Sequence, residues 1–198
     1  MCDTLVALGP ATKDGISLFA KNSDRPPREC QRLVQLPRRA GGARVRCQYL
    51  EILSLCMHAE PLDNTTASMV VALPSDGLVS AWVSLGSPCV GAFLPIYPEA
   101  SIPPRLGLGG EAPDPASPWW RMRDLLTLVE RDFARFGPVV RARWDALEER
   151  LVAEAREVEA RALAAADGST VLTAFMEDAL DRHLAEAARL VRELTGSA

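Results

Sequence analysis

The 198-residue sequence predicts an α+β fold, in which a half built of mostly antiparallel strands precedes a helical tail. Residues 1–97 are rich in Val, Leu, Thr and Cys and are broken by Pro and Gly, a pattern typical of short strands. Residues 98–118 contain clustered prolines and glycines and predict a linker without helix or central strand. Residues 119–198 turn to Ala, Leu, Glu and Arg, which favour helix. We therefore divide the chain into a strand-rich domain, a linker and a helical extension.

The chain opens with two strand-like runs, at residues 2–8 and 16–22, which a turn with an Asp-Gly pair separates. This pattern predicts a β-hairpin. If Gly9 lies opposite Gly15, apolar residues match on one face and opposite charges match on the other. The register then pairs Leu8 with Ile16, Val6 with Leu18, Asp3 with Lys21, and Cys2 with Asn22.

The tail predicts three helices. Ser117 is an N-cap before a proline, and the first helix should run to Gly137, where Pro138 begins the second helix in the same way. The second helix should end near Ala166. Its apolar residues recur at spacings of four and three, which predicts a packing face about four heptads long. That face consists of Val140, Trp144, Leu147, Leu151, Ala155, Val158 and Ala162.

Asp167 and Gly168 stop the second helix, and Ser169 or Thr170 should cap the third. Two long helices joined by a short turn form an antiparallel hairpin. The hairpin is interpreted as a structural prop or an oligomerisation arm, with a docking helix as the alternative, and His183 as a structural histidine. The apolar face of the third helix consists of Leu172, Phe175, Met176, Ala179, Leu180, Leu184, Ala187, Val191 and Leu194.

Composition excludes several classes of function. The formal net charge of −4 gives no electrostatic basis for binding nucleic acid or a membrane. The five cysteines show no C-x-x-C spacing and only two histidines accompany them, so we expect no metal site and no cofactor. No basic stretch precedes an apolar run at the N-terminus, and no apolar run approaches the roughly 20 residues of a membrane helix. We expect a cytoplasmic protein with reduced thiols.

Cys2 carries the chemistry that the sequence points to. The initiator methionine is normally removed before a small second residue, which would leave Cys2 with a free α-amine. Such an amine, with a pKa of about 7.7 to 8.0, can accept the proton of the thiol. One residue then supplies both the nucleophile and the base for attack on an amide carbonyl, and no histidine is needed.

The residues around Cys2 extend this pattern. Met1-Cys2-Asp3-Thr4 is followed by Leu18-Phe19-Ala20 and then by Lys21-Asn22-Ser23-Asp24-Arg25-Pro26, which is the most specific part. Together they resemble the secernin and C69-type dipeptidase family of N-terminal nucleophile hydrolases. Further segments are similar to later parts of that family: residues 29–31, 47–52, 56–58, 65–69, Trp82, residues 87–95 and the helices after Trp119.

The resemblance implies a partial αββα sandwich and a set of site residues. It implies Cys2 as the nucleophile, Lys21 as a basic residue near it, and Asp24 as a carboxylate that orients the amine. Asn22 and Arg25 are implied as neighbours that bind substrate. The chain departs from the family in one respect, because only Leu53 to Leu55 stand where the family has a long central region. That region is similar to the part that supplies oxyanion-hole donors in the wider superfamily.

Two functions follow as expectations. The first is a cysteine-type dipeptidase or amidohydrolase acting on a small peptide substrate. The second is a non-catalytic, shortened family member whose helical hairpin forms a homo-oligomer or binds a partner. The arginines between residues 25 and 46 lack interleaved aromatics, so they are interpreted as a solvated rim that could hold substrate carboxylates.

Overall fold

The computed structural model of the protein describes residues 3–26, 28–33, 58–59 and 63–196. These residues form an α+β structure, which confirms the predicted class. Its elements, in chain order, are β1 (Thr4–Ala7), β2 (Ser17–Arg25), β3 (His58–Ala59), β4 (Asp63–Leu73), β5 (Ser80–Leu85), β6 (Phe93–Ile96), α1 (Pro118–Glu130), α2 (Phe133–Ala164) and α3 (Gly168–Gly196).

The strands form one antiparallel sheet in the order β1-β2-β4-β5-β6, with the short β3 paired to β4. β4 is the longest strand, with 11 residues, and pairs with β2 along one edge and with β5 along the other. The predicted preference for antiparallel strands is confirmed. The arrangement of two stacked sheets in an αββα sandwich goes beyond what the described residues show and stays a prediction.

The register predicted for the first hairpin is wrong by one residue. Val6 lies opposite Phe19, and Thr4 rather than Asp3 lies opposite Lys21. The loop causes the shift, because residues Gly9–Ala11 form a 3₁₀ turn and the Thr12 hydroxyl donates to the carbonyl of Ile16 at 2.7 Å. Gly9 and Gly15 are therefore not a symmetric pair. A shift of one residue moves a side chain to the other face of the hairpin. Asp3 therefore lies beside Asn22 instead of Lys21, and the N–H of Asn22 donates to the Asp3 carbonyl at 2.9 Å.

Side chains alternate along the paired strands and so define two faces of the sheet. The helix face carries the row Lys21, Met69, Val83 and Leu94, which lie opposite one another across the strands. Buried residues of β5 and β6 on that face share one core with α1, α2 and α3. The polar face carries the row Asn22, Ser68, Ser84 and Phe93. The helix face therefore packs against the three helices, and the polar face carries Asn22, Ser68 and Ser84.

The predicted apolar faces of the two long helices are confirmed as core. Every residue predicted for the packing face of α2 is buried, with Trp144 fully inaccessible. On α3 the predicted residues are buried except Val191, which is partly buried, and Leu190 joins them. His183 is also fully buried, and its ring stacks on Trp144 with centroids 4.8 Å apart. The α2 face thus packs inside the chain, while self-association through the tail stays a prediction.

The predicted end of the first helix, start of the second and cap of the third are wrong. The first helix ends at Glu130, because Asp132 caps α2 by accepting from the N–H of Arg135 at 3.2 Å. Pro138 therefore lies inside α2, where it removes one backbone hydrogen bond near the helix start. At α3 the cap is Asp167 rather than Ser169 or Thr170, since its carboxylate accepts from the N–H and hydroxyl of Thr170. These hydrogen bonds hold the pKa of Asp167 below its ordinary value.

The segment predicted as a linker contains one 3₁₀ turn, Pro104–Gly107, and packs closely against the helices. Ala100, Leu106 and Ser117 are buried within it. Arg105 forms salt bridges of 2.8 Å to Glu177 and Asp181 on α3. The segment therefore connects sheet to helices as part of the same core.

Indole and guanidinium donors join the helices to the sheet end. Trp119 donates from Nε1 to the Thr66 carbonyl at 2.8 Å, and Trp144 donates to the Val90 carbonyl at 2.5 Å. Arg141 donates to the carbonyls of Pro88 and Gly91 at 3.1 and 2.9 Å. These contacts satisfy one carbonyl of β4 and three of the β5–β6 loop, and they fix α1 and α2 against the sheet.

Gly91 is a position where a methyl group has no room. A Cβ there would lie 2.6 Å from the hydroxyl of Ser84, which is fully buried, and 3.3 Å from the Ser87 carbonyl. We expect Gly91→Ala to lower the free energy of unfolding by about 1–3 kcal/mol, because overpacking forces the backbone to shift. Urea denaturation measures the change. Gly110→Ala is the control, since its Cβ would meet nothing within 4 Å, and equal effects of the two variants would contradict the steric reason.

His183 predicts a pH dependence of stability. Burial, with a smaller contribution from Arg121, lowers the pKa of His183 from 6.5 to about 4. As pH falls from 6.5 towards 4, the unfolded chain binds a proton that the folded chain does not, so stability falls, by on the order of 3 kcal/mol. In His183→Phe this contribution is absent. Urea denaturation between pH 7.5 and pH 4 should therefore show a shallower loss in the variant, and parallel curves would refute the assignment.

Candidate functional site

Two hydrogen-bonded side-chain pairs connect β2 to β4 on the polar face. The hydroxyl of Ser68 donates to Oδ1 of Asn22 at 2.5 Å, and the hydroxyl of Thr65 donates to Oδ1 of Asp24 at 2.5 Å. The register shifts between Ser23 and Asp24, so that Thr66 is an extra residue on β4. This bulge allows both pairs to form on one face of the sheet.

Asp24 is almost inaccessible, with 2% of its surface exposed. A buried carboxylate requires hydrogen-bond donors, and Thr65 supplies one from the neighbouring strand. Thr65 is held in turn, because Ser87 donates to its carbonyl at 2.7 Å. The Asp24 carboxylate is therefore fixed by contacts that extend from β2 to the β5–β6 loop.

An open cavity of about 340 Å³ lies beside the start of β1, and we call it the β1 cavity. Its polar lining includes Asp3, Asn22 and Ser68, which occupy one face of the sheet, together with Lys21. Leu5 and Phe93 supply apolar wall. A cavity with a few convergent polar groups is the usual form of a small-molecule site.

The hydrogen bond between Ser68 and Asn22 orients the Asn22 amide. Because Oδ1 accepts from Ser68, the Nδ2 group is left as a donor, and it has no hydrogen-bond partner within the described ranges. Asn22 lines the β1 cavity, so this donor is available to a bound carbonyl oxygen. Asn22 is thus the predicted site residue with the clearest chemical use in the structure.

The structure brings together some of the predicted site residues and separates others. Cys2 lies outside the described residues. Lys21 and Asn22 both line the β1 cavity, although alternation places their side chains on opposite faces. Asp24 lies further along β2, on the same face as Asn22. Arg25 forms a salt bridge of 3.3 Å with Glu29 and donates to the Asp24 carbonyl at 3.1 Å.

Ser68 and Thr65 are members of the candidate site that the sequence did not single out, since no local motif marks them. Their role depends on the pairing of β2 with β4, which joins Asn22 to a residue 46 positions later. The alternation of Asn22 with Asp24 and of polar residues in β4 was the available signal. It predicts a polar face, but only the register shows which hydroxyl meets which acceptor.

Cys30 is a free thiol at the far side of the sheet from the β1 cavity. Burial raises its pKa, and its Sγ lies 4.0 Å from the Ser117 hydroxyl. A thiol with a raised pKa is a poor nucleophile. Among residues 3–26, 28–33, 58–59 and 63–196, no group of three or more His, Cys, Asp or Glu side chains is placed to hold a metal ion.

A scan of the sequence against models of protein families finds no match. The likeness to the secernin and C69-type dipeptidase family therefore depends on the residues quoted above. In the part of the chain that the structure describes, none of the helices has the length and apolar character needed to cross a membrane.

The pair formed by Thr65 and Asp24 can be tested by removing one hydroxyl. We expect Thr65→Val to lower the free energy of unfolding by about 1.5–3 kcal/mol, because a buried carboxylate loses a donor without a change in side-chain shape. Thr127→Val is the matched control, since Thr127 is exposed on α1 and its hydroxyl donates only to the carbonyl one turn earlier. Chemical denaturation of the wild type, Thr65→Val and Thr127→Val gives the three free energies of unfolding. A Thr65→Val protein as stable as the wild type would contradict the assignment.

Proposed function

We propose that the chain is a cysteine-type amidohydrolase of the N-terminal nucleophile kind, acting on small peptides. The observation that carries the proposal is the pairing of Asp3 with Asn22 at the mouth of the β1 cavity. Cys2 directly precedes Asp3 in the chain, and Asp3 lines this cavity. The Asn22 amide stands in that cavity as a donor.

The proposed reaction has two steps. The Cys2 thiol transfers its proton to the free α-amine while the sulfur attacks the amide carbonyl carbon. The carbon–nitrogen bond then breaks, and the departing amine takes the proton from the α-ammonium group. Water hydrolyses the thioester in the second step, which releases the carboxylic acid and restores the thiol.

The described residues suit particular parts of this reaction. The Nδ2 group of Asn22 can donate to the oxyanion that forms on the attacked carbonyl, a contact that typically contributes 10²- to 10³-fold to the rate. Lys21 keeps the proposed place of a basic residue near the nucleophile, and its backbone borders the β1 cavity while its side chain lies on the helix face. Asp24 accepts a hydrogen bond from Thr65 and lies two residues after Asn22 on β2, on the same face of the sheet. We propose that its carboxylate orients the α-amine of Cys2.

The proposal is tested with the full chain and a set of dipeptides. Intact-mass measurement should show that Met1 is absent, because the reaction needs the α-amine of Cys2. We expect Cys2→Ala to lower dipeptide turnover by at least about a thousandfold, as loss of a nucleophile does. Cys30→Ala is the matched control and should retain turnover, since that thiol lies away from the cavity.

Three results would overturn the proposal. These are turnover that survives in Cys2→Ala, a retained Met1 in a protein that is active, and a wild-type chain without measurable hydrolysis. The last result, with a stable oligomer seen by light scattering, would instead favour the non-catalytic, self-associating protein. The α2 residues Val139, Val152 and Leu163 are exposed and are the ones to substitute in that case, because the packing face predicted for α2 is buried inside the chain.

A further inference from the structure

A second cavity lies on the helix face of the sheet, and we call it the Arg32 cavity. It measures about 200 Å³. Met69, Val83 and Leu85 form its apolar floor, and Lys21 and Arg32 stand at its rim. The strand register places this floor on the face of the sheet opposite Asn22, although Lys21, Ser68 and Met69 line both this cavity and the β1 cavity.

The wall of the Arg32 cavity is held by the helical layer. The N–H of Leu33 donates to the carbonyl of Leu106 at 3.2 Å, in the 3₁₀ turn that packs against α3. Cys30, three residues earlier, contacts the N-cap of α1 through Ser117. Two separate contacts thus join residues 30–33 to the helical layer.

The charge at the rim is positive and is not neutralised by the lining. Neither Lys21 nor Arg32 forms a salt bridge with a described residue, whereas the nearby Arg25 pairs with Glu29. Among the residues that the structure describes, no Asp or Glu lines this cavity. An apolar floor beneath two cations therefore complements a ligand with an apolar body and one carboxylate.

We propose that the Arg32 cavity binds a small apolar carboxylate. Its tail contacts Met69, Val83 and Leu85, and its carboxylate lies at the rim with Lys21 and Arg32. A cavity of about 150 Å³ holds a ligand the size of benzene, so the volume present accommodates a tail of about four to six carbons. The proposal can be tested apart from the amidohydrolase reaction, because its floor residues Met69 and Val83 lie on the face opposite Asn22 and Cys2 is not needed to bind the carboxylate.

The probe for this site is hexanoate, and hexanamide is the neutral comparison of the same shape. Isothermal titration calorimetry on the full chain should give a lower Kd for hexanoate than for hexanamide. Arg32→Gln should weaken hexanoate up to about fivefold and leave hexanamide unchanged, because an exposed charge pair contributes modestly. Arg32 is exposed, so the variant should fold as the wild type does.

Controls assign the effect to the cavity. Arg28→Gln removes an exposed arginine outside the lining and should bind hexanoate like the wild type. Cys2→Ala should also bind hexanoate normally, so failure of the catalytic proposal and failure of this one are distinct results. The site is refuted if hexanamide binds as tightly as hexanoate, if Arg28→Gln and Arg32→Gln weaken hexanoate equally, or if the wild type binds neither compound at millimolar concentration.

Discussion

The pairing of β2 with β4 is the constraint on which the described structure depends. β4 is central in the sheet, and its register with β2 decides which side chains share a face. One face meets the helices, and the other holds Asn22 and Asp24 with their hydroxyl partners. Because side chains alternate along a strand, a shift of one residue would exchange the two faces and dismantle both cavities.

The helical layer contributes to the candidate sites from a distance. α2 and α3 bury their long apolar faces against each other and against β6, and the indoles of Trp119 and Trp144 bind carbonyls at the sheet end. The proline-rich segment before α1 belongs to the same core and holds residues 30–33 in place through Leu106. The helices therefore hold the sheet in place, and the sheet carries the residues of both candidate sites.

Charge is distributed unequally over the candidate sites. Asp24 is buried and hydrogen-bonded, while the cations Lys21 and Arg32 remain at cavity rims without salt bridges to described residues. A buried carboxylate depends on fixed hydrogen-bond donors, and a cation without a salt bridge can pair with an anionic group of a ligand. Both features suit the binding of small molecules that carry a carboxylate or an amide carbonyl.

The sequence by itself determined the α+β class, the division into strands and helices, and the buried faces of α2 and α3, since a periodicity of 3.6 marks such faces directly. It also singled out Lys21, Asn22, Asp24 and Arg25 as one polar run. Only the tertiary structure decided the hairpin register, the caps at Asp132 and Asp167, and the pairing of Asn22 with Ser68. These depend on turn geometry and on contacts between residues far apart in the chain, which local patterns do not encode.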